Sequence, residues 1–289
     1  VSFLSRAAWK LLRLQGYSLT DAWDSWQLVL ADRTGDGHYG HLRKLHRYLL
    51  KKELITAIEI AGADLVVDVG AHVGRFARDL RRGGYGGHVL SCEPNPAAFA
   101  VLDAAASRDP RWHVLKTAIG PADAGGTATL RVSRDASFAS TLHASDHGVR
   151  IFGGLMEVER TVEVPLAPLE SVLDDLGSRL GQDFTRVFLK SDTQGVDREV
   201  LGSLGRWRPK VWGLLVELPV VPIYEGLGGL ASHHQWFESQ GFKLTAAHPV
   251  SWDEGGRLVE MDALYLDPAH PVASGTLRRS SREETADRS

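Results

Sequence analysis

Four short stretches gather side chains able to do polar chemistry in one place. The first, LVVDVGAHVGRF (residues 65–76), is apolar up to Asp68 and then breaks into Gly70, Ala71, His72 and Gly74. Leu65, Val66, Val67 and Val69 are mostly β-branched and form too short a run for a buried helix, so they predict a strand that ends in a glycine-bracketed turn. The second, SCEPNP, brings Glu93, Pro94 and Asn95 to the end of the next strand. The third, FLKSDTQGVD, offers Lys190, Asp192 and Gln194 at a later strand end, and GLLVELP adds Glu217 at the one after it. In an open α/β sheet ligands bind beyond the carboxyl ends of the strands, which is where these groups should meet.

The kind of ligand follows from the acids and the glycines. Gly70 and Gly74 let backbone approach a ligand closely, and the helix that follows offers unpaired N–H groups. GAHVG is a G-x-x-x-G turn without the three-glycine pattern that holds a pyrophosphate. Glu93 stands 25 residues after Asp68 (93 − 68), where an ionised, acceptor-only group can take two hydrogen bonds from a ribose diol. A compact nucleoside carrying an ammonium and no pyrophosphate suits such an acid-rich site, and S-adenosyl-L-methionine is one. His72 reads either as a contact to that ligand or as a surface residue of a tight loop.

The elements that must position these residues alternate in type. Strands are expected at 65–69, 88–92, 112–116, 161–165, 186–191, 211–217, 242–247 and 259–266, with helices at 74–82, 95–107, 168–180, 195–204 and 230–240; that is the signature of βαβ units and a parallel sheet. Residues 121–159 break the rhythm: TATLRV reads as a strand, SFASTLHASDHG as a loop, and the section has too few apolar anchors to join the core. Ser140 and Thr141 in that loop reach either the adenosine, the acceptor, or only solvent. From Leu4 to Ile60 apolar residues recur at helical spacing around the break GDGHYG, predicting a helical N-terminal cap over 1–60 in which Trp23 and Trp26 lie one turn apart as core or as a lid. Residues 61–267 form the α/β domain. The polar stretch 268–289 is expected to be disordered.

Composition narrows the class. The chain is 43% hydrophobic and 24% charged with net charge −3 (33 basic against 36 acidic), so no overall positive field argues for nucleic acid or an anionic membrane. Val211 to Ile223 is apolar but too short to span a bilayer and carries Glu217 and two prolines. The first residues show no unbroken apolar h-region and read as part of the mature protein. A single cysteine, Cys92, excludes an internal disulfide framework, reads as a core residue and suits a cytoplasmic location. Arg43, Lys44, His46, Arg47, Lys51 and Lys52 make 40–60 basic, which reads either as a solvated face or as a surface for an anionic substrate or membrane. His38, His41 and His46, with His143 and His147, have only a loose likeness to metal-ligand spacing.

VVDVGAHVGRFARDL, LSCEPNPAAFAVL, FLKSDTQGVDREVLGSL, GLLVELP and EMDALYL resemble, in order, the successive blocks of the FkbM family of S-adenosylmethionine-dependent methyltransferases, over about residues 64–266. The resemblance implies a doubly wound, Rossmann-like class I methyltransferase fold, with a mostly parallel seven-stranded sheet whose last strand is antiparallel. It also implies O-methylation of a small, sugar-containing or natural-product hydroxyl. Asp197 stands where the family usually has glutamate. Methyl transfer from a sulfonium needs an aligned acceptor and a destination for its proton. Lys190, Asp192, Gln194 and Glu217 are the candidates. Asp192 reads as general base or acceptor-orienting group beside Gln194, as a Mg²⁺ ligand with Glu217, or as a helix cap with Glu217 a structural acid. A nucleotide-dependent oxidoreductase is the alternative enzyme, a non-catalytic cofactor-binding module the alternative class, and a homodimer is one oligomeric state left open.

Overall fold

The computed structural model describes residues 17–22, 25–30 and 40–269. Seven strands make the central sheet: β3 (Leu65–Val69), β4 (His88–Cys92), β5 (Trp112–Leu115), β9 (Val187–Ser191), β10 (Val211–Pro219), β11 (Lys243–Trp252) and β12 (Leu258–Leu266). Their order is β11-β12-β10-β9-β3-β4-β5. Pairs β5–β4, β4–β3, β3–β9 and β9–β10 are parallel, and β12 is antiparallel to both β10 and β11. The expected seven strands with an antiparallel last one are present.

The predominantly apolar strand runs have a direct cause. A parallel strand is covered on both faces, so alternation disappears, and all five residues of β3 are buried. One face carries α1 (Gly40–Ala61), α2 (Arg75–Arg82) and α3 (Pro96–Ala106). Leu54, Ile58, Leu80 and Leu102 from these helices pack with Val66, Val89 and Phe188 of the sheet. The other face carries α5 (Leu169–Leu180), α6 (Asp197–Gly202) and α7 (Leu230–Ser239), which bring Leu173, Leu201 and Phe237 against Val67, Leu189 and Leu214. From β3 the sheet grows toward β4 on one side and toward β9 on the other, so the chain reverses its direction of growth between β3 and β9. Register places Asp68 beside Lys190 and Ser191 beside both Val69 and Val216.

Three expectations need correction. The strand seen in the sequence at 161–165 is β8 (Val158–Pro168), and it lies outside the central sheet, in a three-stranded one with β6 (Ala118–Gly120) and β7 (Thr127–Ser133). Its mainly exposed residues show why: propensity marks a strand but not its partner. Residues 121–159 do contribute core, through α4 (Asp146–Phe152) and through Met156, Phe138, Leu142 and Phe152, which cluster with Val221, Ile223, Tyr224 and Val259. Those anchors are spread along the chain without a period, which hides them from a periodicity reading. Last, the N-terminal cap is not all helical. β1 (Tyr17–Ala22) and β2 (Ser25–Leu30) form an antiparallel hairpin, so Trp26 lies on a strand. Six residues such as SWQLVL fit either period, and too short a run cannot separate them. Trp23, His38 and residues 270–289 lie outside the described residues.

Candidate active site

Two turns at the carboxyl ends of β3 and β9 touch each other. Gly70 has φ 74°, and a Cβ there would stand 1.9 Å from the Asp192 carbonyl oxygen, so only glycine lets the two turns meet. Asp192 N–H donates to the Val69 carbonyl (3.1 Å), and the N–H groups of Gly70 and Ala71 both donate to the Cys92 carbonyl (3.0 Å each). Gly74 serves a different end from the one expected: a Cβ there would sit 2.7 Å from Leu102 and from the Trp112 ring, so it admits α3 and β5 rather than a ligand. His72 is left-handed (φ 49°), half-buried, and its N–H donates to Glu93 Oε2 (2.7 Å). Burial and the nearby Arg75 push its imidazole pKa down.

Glu93 organises the cofactor edge. It is buried, and its second oxygen accepts the Asn95 N–H (2.7 Å). Burial raises its pKa while those two backbone donors and Lys190 pull it back. Each carboxylate oxygen keeps a further lone pair, so the donors in place do not use up its capacity. Asn95 caps α3, its Oδ1 accepting the Ala97 N–H (3.1 Å), with Pro96 at the first helical position. Pro94, between them, is half-buried.

Asp68 departs from the expected cofactor contact. Its side chain has 0% exposure, so it presents nothing to a ligand. It lies beneath the turn, with Lys190 Nζ 2.9 Å from Oδ1. Burial pushes the Asp68 carboxyl up and the ammonium pulls it back. Burial also works against the Lys190 charge, but Asp68 and then Asp192, 3.5 Å away, outweigh it and keep the ammonium protonated. Lys190 Nζ also donates to the Gly70 carbonyl (3.3 Å). The lysine therefore binds the two turns together.

On the acceptor side, the adjacency of β9 and β10 brings Asp192 and Glu217 together through one amide. Gln194 Nε2 donates to Asp192 Oδ1 (3.2 Å) and to Glu217 Oε2 (3.0 Å). Asp192 remains 41% exposed, the more accessible of the acids there. The Ser140 hydroxyl is spent inside the protein: it donates to the Gln194 carbonyl (2.8 Å) and accepts the Leu142 N–H (3.0 Å). The neighbouring Thr141 gives its carbonyl to Arg131 (2.6 Å). Asp197 is buried, and its Oδ1 accepts the hydroxyls of Ser191 (2.5 Å) and Thr193 (2.8 Å). That pattern makes it the staple of the β9–α6 turn.

Two acids went unassigned in the sequence. Glu260 and Asp262 alternate along β12, and Asp262 is the register partner of Glu217. Their spacing of two, which puts both on one face of a strand, was the available signal. Burial raises both carboxyls to about 7, Asp192 adding to the rise. Glu217 is pushed well above the usual range by burial and then by Glu260, Asp192 and Asp262. Tyr224, also missed, donates its hydroxyl to Gln194 Oε1 (2.8 Å).

The Mg²⁺ reading of Asp192 and Glu217 finds no support. Between these carboxylates lies an amide donor, and among the described residues no group of three or more His, Cys, Asp or Glu is placed to hold a metal. The histidine spacings lead elsewhere: His143 Nε2 lies 2.7 Å from Arg131, and His46 packs edge-on to His248. In the basic helix, Lys51 pairs with Asp79 (2.7 Å).

Strand order, switch point and turn geometry define a class I, S-adenosylmethionine-dependent methyltransferase type of protein. The family model for the methyltransferase FkbM domain matches residues 68–244. The chain therefore belongs to the FkbM methyltransferase family and is an S-adenosylmethionine-dependent methyltransferase. A search of curated proteins finds no match. Among solved structures it is similar to magnesium protoporphyrin IX methyltransferase from Synechocystis PCC 6803 with bound S-adenosylmethionine (10% identity, TM-score 0.42, 80% of this chain and 86% of that one). It is also similar to Aeropyrum pernix fibrillarin in complex with S-adenosyl-L-methionine (9% identity, TM-score 0.41, 87% and 94%). A third is a methyltransferase-like protein from Thermobifida fusca (12% identity, TM-score 0.42, 78% and 82%). At these scores the likenesses add nothing to what the strand order states.

The residues present fit the family's cofactor. Beside the junction of the two turns stand Glu93, a carboxylate with spare lone pairs, and Asp192, a second, accessible carboxylate, which suit a ribose and an ammonium. Glu93, His72 and Ala71 would hold the nucleoside side, with Asp192 beside them. No helix among the described residues is long and apolar enough to cross a membrane.

Proposed function

We propose that this enzyme methylates a hydroxyl of a small, polyhydroxylated acceptor, most suitably a sugar or glycoside, in the cytoplasm. The single observation carrying this reading is the Asp192–Gln194–Glu217 triplet, an accessible carboxylate and a half-buried one joined through one carboxamide. S-adenosylmethionine supplies an electrophilic methyl group. The protein's part is to hold the acceptor oxygen in line and to take its proton. Asp192, accessible and directed by Gln194, is the group for that proton, with Glu217 as a second acceptor for neighbouring hydroxyls. Gln194 orients and Lys190 keeps the two turns in register. Carboxylates face the acceptor while the Lys190 ammonium is held by Asp68, so a phosphorylated acceptor or nucleic acid would meet like charge.

The test is isothermal titration of S-adenosylhomocysteine into the purified protein, with and without EDTA and Mg²⁺, beside Glu93→Ala, followed by a screen of glycosides. Micromolar binding that Glu93→Ala abolishes and EDTA leaves unchanged, then methyl transfer to a glycoside lost in Asp192→Asn, supports the reading. Wild-type turnover in a folded Asp192→Asn variant would sink the assignment of the base.

A further inference from the structure

Gln194 is a non-glycine residue in left-handed backbone geometry (φ 55°), a conformation held only when surroundings dictate it. Every polar atom of its side chain is engaged. Nε2 donates to Asp192 and Glu217, and Oε1 accepts the Tyr224 hydroxyl. A carboxamide has two orientations half a turn apart, and its partners choose between them. Reversed, Oε1 would face two carboxylates.

Tyr224 is itself anchored. Its ring is 4% exposed and packs with Met156, Val221, Ile223 and Val259. Its backbone bridges to Ala144, and the Glu225 N–H donates to the His143 carbonyl (2.9 Å). The hydroxyl also lies 3.2 Å from the Phe138 carbonyl, a longer contact than the one to Gln194. The phenol therefore stands at a fixed place, delivered by the 121–159 section and the loop after β10.

We propose that Tyr224 is a positioning residue for methyl transfer: its phenol holds the Gln194 carboxamide with both N–H groups toward Asp192 and Glu217, leaving the outer lone pairs of those carboxylates for the acceptor. The proposal rests on the acceptor-site reading above and deepens it.

The test uses the full chain labelled with ¹⁵N, the Gln194 side-chain NH₂ signals being identified by their loss in Gln194→Leu. In Tyr224→Phe, which keeps the buried ring, those signals should move and their solvent exchange should rise about fivefold, the scale of one buried hydrogen bond. Backbone protection over 136–156 and S-adenosylhomocysteine affinity should stay as in the wild type. With a glycoside that the wild type turns over, kcat should fall with the KM for S-adenosylmethionine unchanged. Unaltered NH₂ signals in Tyr224→Phe overturn the proposal. Raised backbone exchange across 136–156 also overturns it, because the hydroxyl then serves the packing of that section. Failure of the wild type to bind S-adenosylhomocysteine is a separate result, which removes the methyltransferase site reading and leaves the amide measurement to stand or fall alone.

Discussion

At the scale of single residues, the site is held by groups with no alternative. Gly70→Ala places a methyl against the Asp192 carbonyl in a left-handed backbone; strain and overlap together should cost at least about 2 kcal/mol, read by urea denaturation, with cofactor affinity lost. Lys190→Met leaves Asp68 buried without its ion pair, a loss of about 3–5 kcal/mol. The double variant Asp68→Asn/Lys190→Met should recover most of it, and no recovery would contradict the ion-pair account. Glu260 makes a pH prediction. Its folded pKa, about 7, lies above the usual carboxylate value, so between those two pH values the folded state binds a proton that the unfolded state has released. Stability must therefore fall as pH rises through that window. Glu260→Gln, which can still accept from Ser251 Oγ (2.7 Å in the wild type), should be more stable than wild type by about 1–2 kcal/mol at pH 8 and gain nothing at pH 4.

At the scale of elements, the 121–159 section is the support for the acceptor side. α4 is capped by Ser145, which accepts the Gly148 N–H (3.0 Å) and donates to the Pro222 carbonyl (3.2 Å). Ser145→Ala should cost about 1 kcal/mol. A Cβ on Gly148 would lie 2.4 Å from the Ile223 carbonyl oxygen, so Gly148→Ala should part α4 from the loop that carries Tyr224. Hydrogen exchange would report it as faster exchange over 136–156 and 220–227 with the central sheet unchanged. Equal protection in both variants would mean that this contact does not hold the loop.

At the scale of the whole molecule, a ligand that binds only the folded chain stabilises all of it. S-adenosylhomocysteine at one hundred times its Kd should add about 2.7 kcal/mol. Thermal unfolding should show that gain in wild type, with and without EDTA, and not in Glu93→Ala. The sheet makes this global: β3 and β9, which carry the two turns, are central strands of seven, so ordering their ends is felt on both faces.

Local chemistry in the chain was enough to determine the strands, because a parallel strand covered on both faces reads as a near-continuous apolar run, and LVVDV and VFLKS are apolar until Asp68 and Lys190 near their carboxyl ends. It also determined the turn at Gly70 and the meeting of Asp192 with Glu217, since adjacent βαβ units place consecutive strand ends together. Only the tertiary structure decided that Asp68 serves Lys190 rather than the cofactor, that Gly74 makes room for Leu102 and Trp112, and that β8 leaves the main sheet. It alone brought Tyr224 to Gln194, 30 residues apart in sequence, and set Asp262 opposite Glu217. The physical reason is common to all of these. Periodicity and residue type say how a segment is buried, whereas a partner is chosen by packing and register between segments distant along the chain.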